Sequence, residues 1–216
     1  KAKAKRAKKN KQIIYMMLAA SLVVVAVMGF NIVRISLKKS AGSGEVVEKT
    51  NTSSMKNDQY VIGNNPTQFQ QDEFKKLTEA LKGDDQLAIS EAVVRNFIAD
   101  YFTWTNKDGN YEVGGLQYIY GPMFTSFQEQ SRWEFYKDLD LYISQYGREN
   151  LLEVSDITIT SSAVAGNFEL YFGEEFASFY IETTWNYKPS PKIDVDSFQK
   201  TGYFTVINNN GRYEIA

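Results

Sequence analysis

Hydrophobic and polar positions follow three different rhythms along this chain, and the changes of rhythm divide it. Residues 13–33, IIYMMLAASLVVVAVMGFNIV, have no period at all: they form a 21-residue apolar run interrupted only by Ser21, Gly29 and Asn31. At the helical rise such a run is about 30 Å long, the thickness of a bilayer's hydrocarbon core, and a helix satisfies its own backbone hydrogen bonds in lipid. The pattern predicts a membrane-spanning helix over 13–33, with Tyr15 and Phe30 near its ends, where aromatic side chains favour the interface. A cleaved signal peptide would end its apolar core after roughly 7–15 residues at a small-x-small site. Here the apolar character continues past Ala19-Ala20-Ser21.

Residues 34–65 carry no sustained period and are rich in Ser, Gly, Asn and Thr, which predicts a juxtamembrane segment and linker. The 26 residues from Ser40 to Asn65 have a typical reach of only about 30 Å as a flexible coil. A helical rhythm then begins. NNPTQFQQDEFKKLTEALKG predicts a helix capped by Asn65, with Pro66 in its first turn, Phe69, Phe74, Leu77 and Leu81 on its apolar side, and a stop at Gly83. In DDQLAISEAVVRNFIADYFTWTN the apolar positions Ile89, Val93, Phe97, Tyr101 and Trp104 are flanked by Val94, Ile98 and Phe102. That stripe is too broad for a helix with a solvent face, so a central core helix is predicted. Gly114, Gly115, Gly121 and Pro122 break the next stretch, and MFTSFQEQSRWEFYKDLDLYISQYG gives one or two further helices.

After Gly147 the period falls to two. LLEVSDITITS, SAVAGNFELYF, ASFYIETTWNYK and TGYFTVINNNGRYEIA are β-branched, aromatic and alternating. In the third of these, Phe179, Ile181, Thr183, Trp185 and Tyr187 share one face, and Tyr180, Glu182 and Thr184 the other. The last reads as a hairpin or a strongly bent terminal strand, with Gly211 at its turn. Helices first and an antiparallel sheet afterwards predict an α+β domain over residues 66–216, with helices packed on one face of a curved sheet of about four strands.

Charge changes the picture by showing that two electrostatic objects share the chain. Residues 1–39 hold ten of the 24 Lys and Arg and none of the 26 acids, so residues 40–216 carry 14 − 26 = −12. Seven cations precede the apolar run (Lys1, Lys3, Lys5, Arg6, Lys8, Lys9 and Lys11) and three follow it (Arg34, Lys38 and Lys39). Cations stay on the cytoplasmic side. Residues 1–12 are therefore predicted as a cytoplasmic tail touching anionic lipid headgroups, and residues 66–216 as a periplasmic or extracellular body. A body this acidic repels phosphate backbones, so direct nucleic-acid binding is not expected of it.

Candidate chemistry is sparse. With no His and no Cys in 216 residues, zinc sites of the usual kind, thiol nucleophiles, Ser-His-Asp triads and disulfides are excluded. No glycine pattern matches a phosphate-binding loop. Asp72-Glu73, Asp84-Asp85 and Glu174-Glu175 read as helix-start or turn residues, and Asp194 with Asp196 as a loop pair lacking the glycine and terminal glutamate of a calcium loop. No cofactor or metal is called for. What remains is 14 Phe, 14 Tyr and 3 Trp. Most must be core, but Tyr and Trp on partly exposed faces suit protein contacts, because they bury large area with few rotors and keep a polar tip. Tyr111, Tyr118, Trp133, Tyr136, Trp185 and Tyr187 are the candidate interaction residues.

The whole layout resembles the VirB-eight-like family of type IV secretion and conjugation proteins: a basic tail, one anchor, a short linker, then helices followed by an antiparallel sheet. VVRNFIADYFTWTNKDGNYEVGGLQYIYGPMFTSF is similar to that family's long core helix and following Tyr-containing segment, with Tyr111 and Tyr118 in the matching places. TTWNYK and TGYFTV resemble its later strands, so the resemblance covers most of residues 85–216. The proteobacterial members carry Asn-Pro-x-Gly before the last long strand, whereas this chain has Lys200-Thr201-Gly202, a departure that points towards divergent or Gram-positive conjugation versions. The resemblance implies a cone like that of nuclear transport factor 2 in the outer domain. It also implies a non-catalytic scaffold in the bacterial inner membrane that forms a homo-oligomer and docks other channel subunits. The same cone also hosts isomerases and dehydratases. Asp100, Tyr101 and Tyr187 would be the side chains of an enzyme reading, and a small-ligand-binding protein is a third possibility; an open or a filled cone separates them.

Overall fold

The structure, a computed structural model, describes residues 55–170 and 173–216. The predicted tail at 1–12, the span at 13–33 and most of the linker lie outside these residues. Among the described residues no helix is long and apolar enough to cross a membrane.

Helix α1 (Gln68–Ala80) starts two residues later than the sequence suggests. Thr67, rather than Asn65, is its cap: the Gln70 amide donates to the Thr67 hydroxyl at 3.2 Å, while the Thr67 amide donates to the Gln70 side chain at 2.7 Å. This reciprocal box satisfies two otherwise orphaned donors, which a proline in the first turn does not do. Helix α2 (Gln86–Tyr101) is capped by Asp85, whose Oδ1 accepts from the Leu87 and Ala88 amides. Two shorter helices follow, α3 (Phe124–Trp133) and α4 (Leu139–Tyr146).

The sheet is an antiparallel meander of β1 (Val154–Glu169), β2 (Glu175–Tyr187), β3 (Thr201–Asn209) and β4 (Arg212–Ile215), in that spatial order. Four strands were expected, but they divide the sequence differently. The two segments predicted on either side of Ser161 are one long strand, because β2 pairs with it from Val154 to Glu169. Breaks in register after Val154, Ile159 and Val164 replace the expected turn. Such bulges bend a strand without ending it. At the C-terminus the hairpin reading holds: β3 and β4 pair as Val206 with Ile215 and Asn209 with Arg212. Asn210 and Gly211 turn between them with φ of 53° and 91°, as a two-residue hairpin requires.

Residues 55–65, read as linker, belong to the folded body. Asn57 accepts hydrogen bonds from the amides of Gln59 and Tyr60, closing a turn that lets Lys56 bridge to Val61. Tyr60, only 1% exposed, donates its hydroxyl to the Tyr213 carbonyl at 2.7 Å. Burial and the nearby Glu214 and Tyr213 raise this phenol, Arg212 and the bond to Tyr213 lower it, and the balance pushes it up to about 12. A composition rich in Asn and Gly hid two anchors, Tyr60 and Ile62.

One core joins these elements. Val93, Phe97, Ile98 and Phe102 share it with Phe179, Ile181, Trp185 and Tyr187 from the inward face of β2, as the two-residue alternation predicts. Phe102 lies against Trp185 with ring centroids 4.4 Å apart, and Phe97 meets Phe204 of β3 edge-on at 5.7 Å. A charged clamp ties α1 to α2 and to β1. Buried Glu73 receives Arg95 Nε at 2.6 Å and Nη2 at 2.9 Å, and the same guanidinium donates Nη1 to the Ile157 carbonyl at 2.8 Å. Burial would raise the Glu73 carboxyl, but the hydrogen bonds from Arg95 and Lys76 outweigh it and hold the group below its ordinary range.

Each such core side chain contributes about 1.5–3 kcal/mol by burial, and truncation leaves a cavity as well, so Phe97→Ala should cost about 3–5 kcal/mol in denaturant unfolding. A loss under about 1 kcal/mol would mean that the site collapses freely. Glu73 has its own signature in acid. A carboxyl whose folded pKa is depressed stabilises the fold above its ordinary value near 4.5 and stops doing so as pH falls through the folded value. Glu73→Gln should lower stability at neutral pH by about 3–5 kcal/mol and flatten the acid limb of the stability profile. An unchanged acid limb would refute the clamp.

Candidate interaction surface

The six tyrosines and tryptophans proposed from sequence separate into two groups. Tyr118 is 2% exposed, Tyr136 0%, Trp185 1% and Tyr187 5%; these four are core and cannot meet a partner. The polar tips of Tyr136, Trp185 and Tyr187, the feature that made them candidates, are used internally. Tyr136 donates to the Tyr101 carbonyl at 2.5 Å and accepts from the Gly114 amide at 3.1 Å. Trp185 Nε1 donates to the Tyr187 hydroxyl at 3.0 Å, which in turn donates to the Gln199 carbonyl at 2.7 Å. Tyr118 packs on Tyr60 with centroids 5.1 Å apart. The other two, Tyr111 at 61% and Trp133 at 77%, do face solvent.

Three exposed aromatics were missed as candidates: Phe124 at the start of α3, 38% exposed, and a pair on the sheet. Tyr203 of β3 is 66% exposed and Tyr180 of β2 38%, and their rings stack 6.3 Å apart at 20° on the face of the sheet away from α2. The signal was present in the alternation, which placed Tyr180 opposite the inward Phe179, but the pairing of β2 with β3 was needed to bring Tyr203 beside it. That pairing sets Glu182 opposite Tyr203 and Tyr180 opposite Thr205.

Asp100, the carboxylate of the enzyme reading, is fully engaged. Its Oδ1 accepts from Lys107 Nζ at 2.5 Å and Gln70 Nε2 at 3.3 Å, and its Oδ2 from the Gly115 amide at 2.7 Å. The glycines are required here: Gly115 has φ of 72°, and a Cβ on Gly114 would stand 2.3 Å from the Asp100 carbonyl oxygen. Lys107, 3% exposed, closes the loop after α2 onto the end of that helix. The void beside Asp100 measures about 10 Å³, enough for a single water molecule at most. Tyr101 donates its hydroxyl to Ser131 at 3.1 Å, while Tyr187 serves Trp185 and Gln199. No hydrogen bond joins Asp100, Tyr101 and Tyr187 to one another, and the space between α2 and the sheet is filled by side chains. A larger open hollow of about 480 Å³ lies elsewhere, between Tyr120, Pro122, Glu174, Phe176 and Glu214. There the Tyr120 hydroxyl donates to Glu174 at 2.8 Å. Asp194 accepts from the Asp196 amide and Asp196 pairs with Lys200, so this acidic pair organises its own loop. Among the described residues no three metal-binding side chains converge.

Comparison of the chain with protein-family models, with curated proteins and with solved structures yields no match in any of the three.

Burial holds the Tyr118 and Tyr136 phenols well above their ordinary range, and the charge of Asp100 adds to this. A phenol whose folded pKa is raised stabilises the fold fully below its ordinary value near 10, and that contribution is lost as pH rises towards the folded value. Alkaline absorbance titration should therefore reveal a class of tyrosines that ionises only together with the loss of near-ultraviolet dichroism. Ionisation of every tyrosine in a protein that keeps its dichroism would show that these two are reachable by solvent.

Proposed function

We propose that this chain is a non-catalytic, membrane-anchored assembly component of a conjugative type IV secretion machine, self-associating and docking other channel subunits beside the bacterial inner membrane. The observation that carries the non-catalytic part is the filled interior: about 10 Å³ remains beside Asp100, whose oxygens already serve Lys107, Gln70 and Gly115. The isomerases of the cone fold need room for substrate beside a carboxylate with a shifted pKa. The membrane part rests on the 21-residue apolar run and the seven-to-three cation excess before it. The secretion part rests on the sequence resemblance and on the order of elements. Four helices followed by an antiparallel meander suit a cone like that of nuclear transport factor 2.

Three measurements test this reading together. Protease added to intact spheroplasts should remove residues 40–216. Deletion of residues 1–39 should abolish DNA transfer while the remaining body stays folded. Crosslinking and pull-down from native membranes should return conjugation ATPases and channel proteins. Protection of the body from protease, or normal transfer by the deleted form, would overturn it. Because Asp100 holds a buried loop, its substitution reports on folding, so Tyr101→Phe is the cleaner test of catalysis. It should leave transfer intact, and loss of function in that stably folded variant would bring back the enzyme.

A further inference from the structure

We infer that residues 55–64 form a strap that opens without the rest of the body and, in opening, lengthens the tether to the membrane. The lengthening rests on the anchor proposed above; the opening rests on the strap's own contacts. The strap is a small hairpin closed on itself, the Ile62 amide donating to the Met55 carbonyl at 2.8 Å and the Asn57 amide to the Tyr60 carbonyl at 3.0 Å. Among the described residues none of its backbone groups bonds to backbone elsewhere in the body. Side chains hold it instead. The Gln117 amide stands in for a neighbouring strand: its Oε1 accepts from the Val61 amide at 2.9 Å and its Nε2 donates to the Val61 carbonyl at 2.5 Å. Arg212 donates to the Gln59 and Gln117 carbonyls and to Glu214, and its guanidinium lies 4.6 Å from the centre of the Tyr60 ring. Gln59 Nε2 and the Tyr60 hydroxyl donate in return to the Gly211 and Tyr213 carbonyls, at 3.0 and 2.7 Å.

What lies under the strap makes its release inexpensive compared with unfolding. Ile62 and Gly63 line the small void beside Asp100 together with Gln70, Asn96 and Tyr118, and the Asn64 carbonyl accepts from Asn106 at 3.4 Å. This layer is polar, and it is tied together without the strap: Gln70 donates to the Ala99 carbonyl, and Asp100 accepts from Lys107 and Gly115. Lifting the strap exposes groups that water can satisfy, whereas opening α2 exposes an aromatic core, so the strap belongs to the low-stability end of the molecule. Asn65 supplies the joint, its φ of 47° being a left-handed conformation that asparagine tolerates. The capping box of Thr67 and Gln70 lies beyond that joint, so α1 stays capped when the strap leaves. Ten residues then join the tether. The 15 residues from Ser40 to Ser54 reach about 20 Å, the 25 from Ser40 to Asn64 about 28 Å, and under tension the released ten add about 35 Å. The body can thus move away from the membrane while remaining folded.

Hydrogen exchange of the full-length chain in membranes, read by mass spectrometry over a series of low urea concentrations, tests the opening. The amides of Asn57, Gln59, Tyr60, Val61 and Ile62 are all hydrogen-bonded, so rapid exchange there requires the strap to lift. They should exchange at least about 10-fold slower than an unstructured chain, at least about 100-fold faster than the amides of α2, and with little dependence on urea. Gln117→Ala removes both bonds to Val61 at a half-buried position and leaves the Gln117 carbonyl for Arg212. It should speed exchange in 55–64 about ten-fold and leave α2 unchanged. Exchange of the strap together with α2 on one urea slope would overturn the independent unit, as would equal acceleration of both by Gln117→Ala. Exchange at the unstructured rate would overturn the closed strap. Independent opening in a protein whose body resists protease added to spheroplasts would retain the strap and overturn its role in the tether.

Discussion

Beyond its first turn helix α2 has no fully exposed residue, and this constraint organises the rest of the molecule. Ile89, Val93, Val94, Phe97, Ile98 and Tyr101 cover about half the circumference, Ala92, Asn96 and Ala99 continue round the other half, and all are buried. A helix of that kind must be enclosed on nearly all sides. α1 covers one side, all four strands another, and the segment from Tyr118 to Tyr136 the remainder. The polar groups caught inside are each answered. Asn96 donates to the Glu73 and Ala92 carbonyls, Ser90 to Gln86, and Arg95 to Glu73 and Ile157. A buried charge pair of this kind adds little net energy against an apolar replacement, but breaking it by removing one partner is costly. Its effect is to fix how α1, α2 and β1 are registered on one another.

The same enclosure fills the space between α2 and the sheet with side chains. Phe97, Tyr101, Phe102 and Phe135 interlock at centroid distances between 4.9 and 5.3 Å, and Trp185 fills the gap to the sheet. A domain without disulfides or metal ligands must draw its stability from such packing. The aromatic excess is thus accounted for chiefly by the core. Among the described residues the aromatics left exposed are Tyr111, Phe124, Trp133, and the stacked pair Tyr180 and Tyr203.

The legible and illegible parts of the sequence differ for physical reasons. The breadth of the α2 stripe and the two-residue alternation of β2 are properties of consecutive residues, and both carried through to the structure. The single strand β1 was not legible, because a bulge and a turn use the same small polar residues, Ser161-Ser162 and Gly166; only pairing with β2 distinguishes them. Tyr60 was not legible as core because its burial depends on Tyr213, 153 residues away. Tyr118 is buried against Tyr60, and Tyr136, Trp185 and Tyr187 were misassigned to the surface for a related reason. A polar tip on an aromatic ring signals either an interface or an internal hydrogen bond, and here the acceptors and donors are Gln199, Tyr101 and Gly114, none predictable from local spacing.

The proposed anchoring and self-association fit together energetically. Residues 55–216 carry a net charge of −11, so contact between copies works against a long-range repulsion. In dilute solution such a contact would be fleeting. If the proposed anchor holds, the 15 residues from Ser40 to Ser54 give a reach of only about 20 Å, and bodies confined to so thin a layer would approach an effective concentration in the millimolar range, at which a weak contact is occupied. Salt screens the repulsion within about 8 Å at physiological strength, which would leave short-range contacts to set the geometry. Assembly of this kind would be governed by the membrane rather than by the affinity of any one surface.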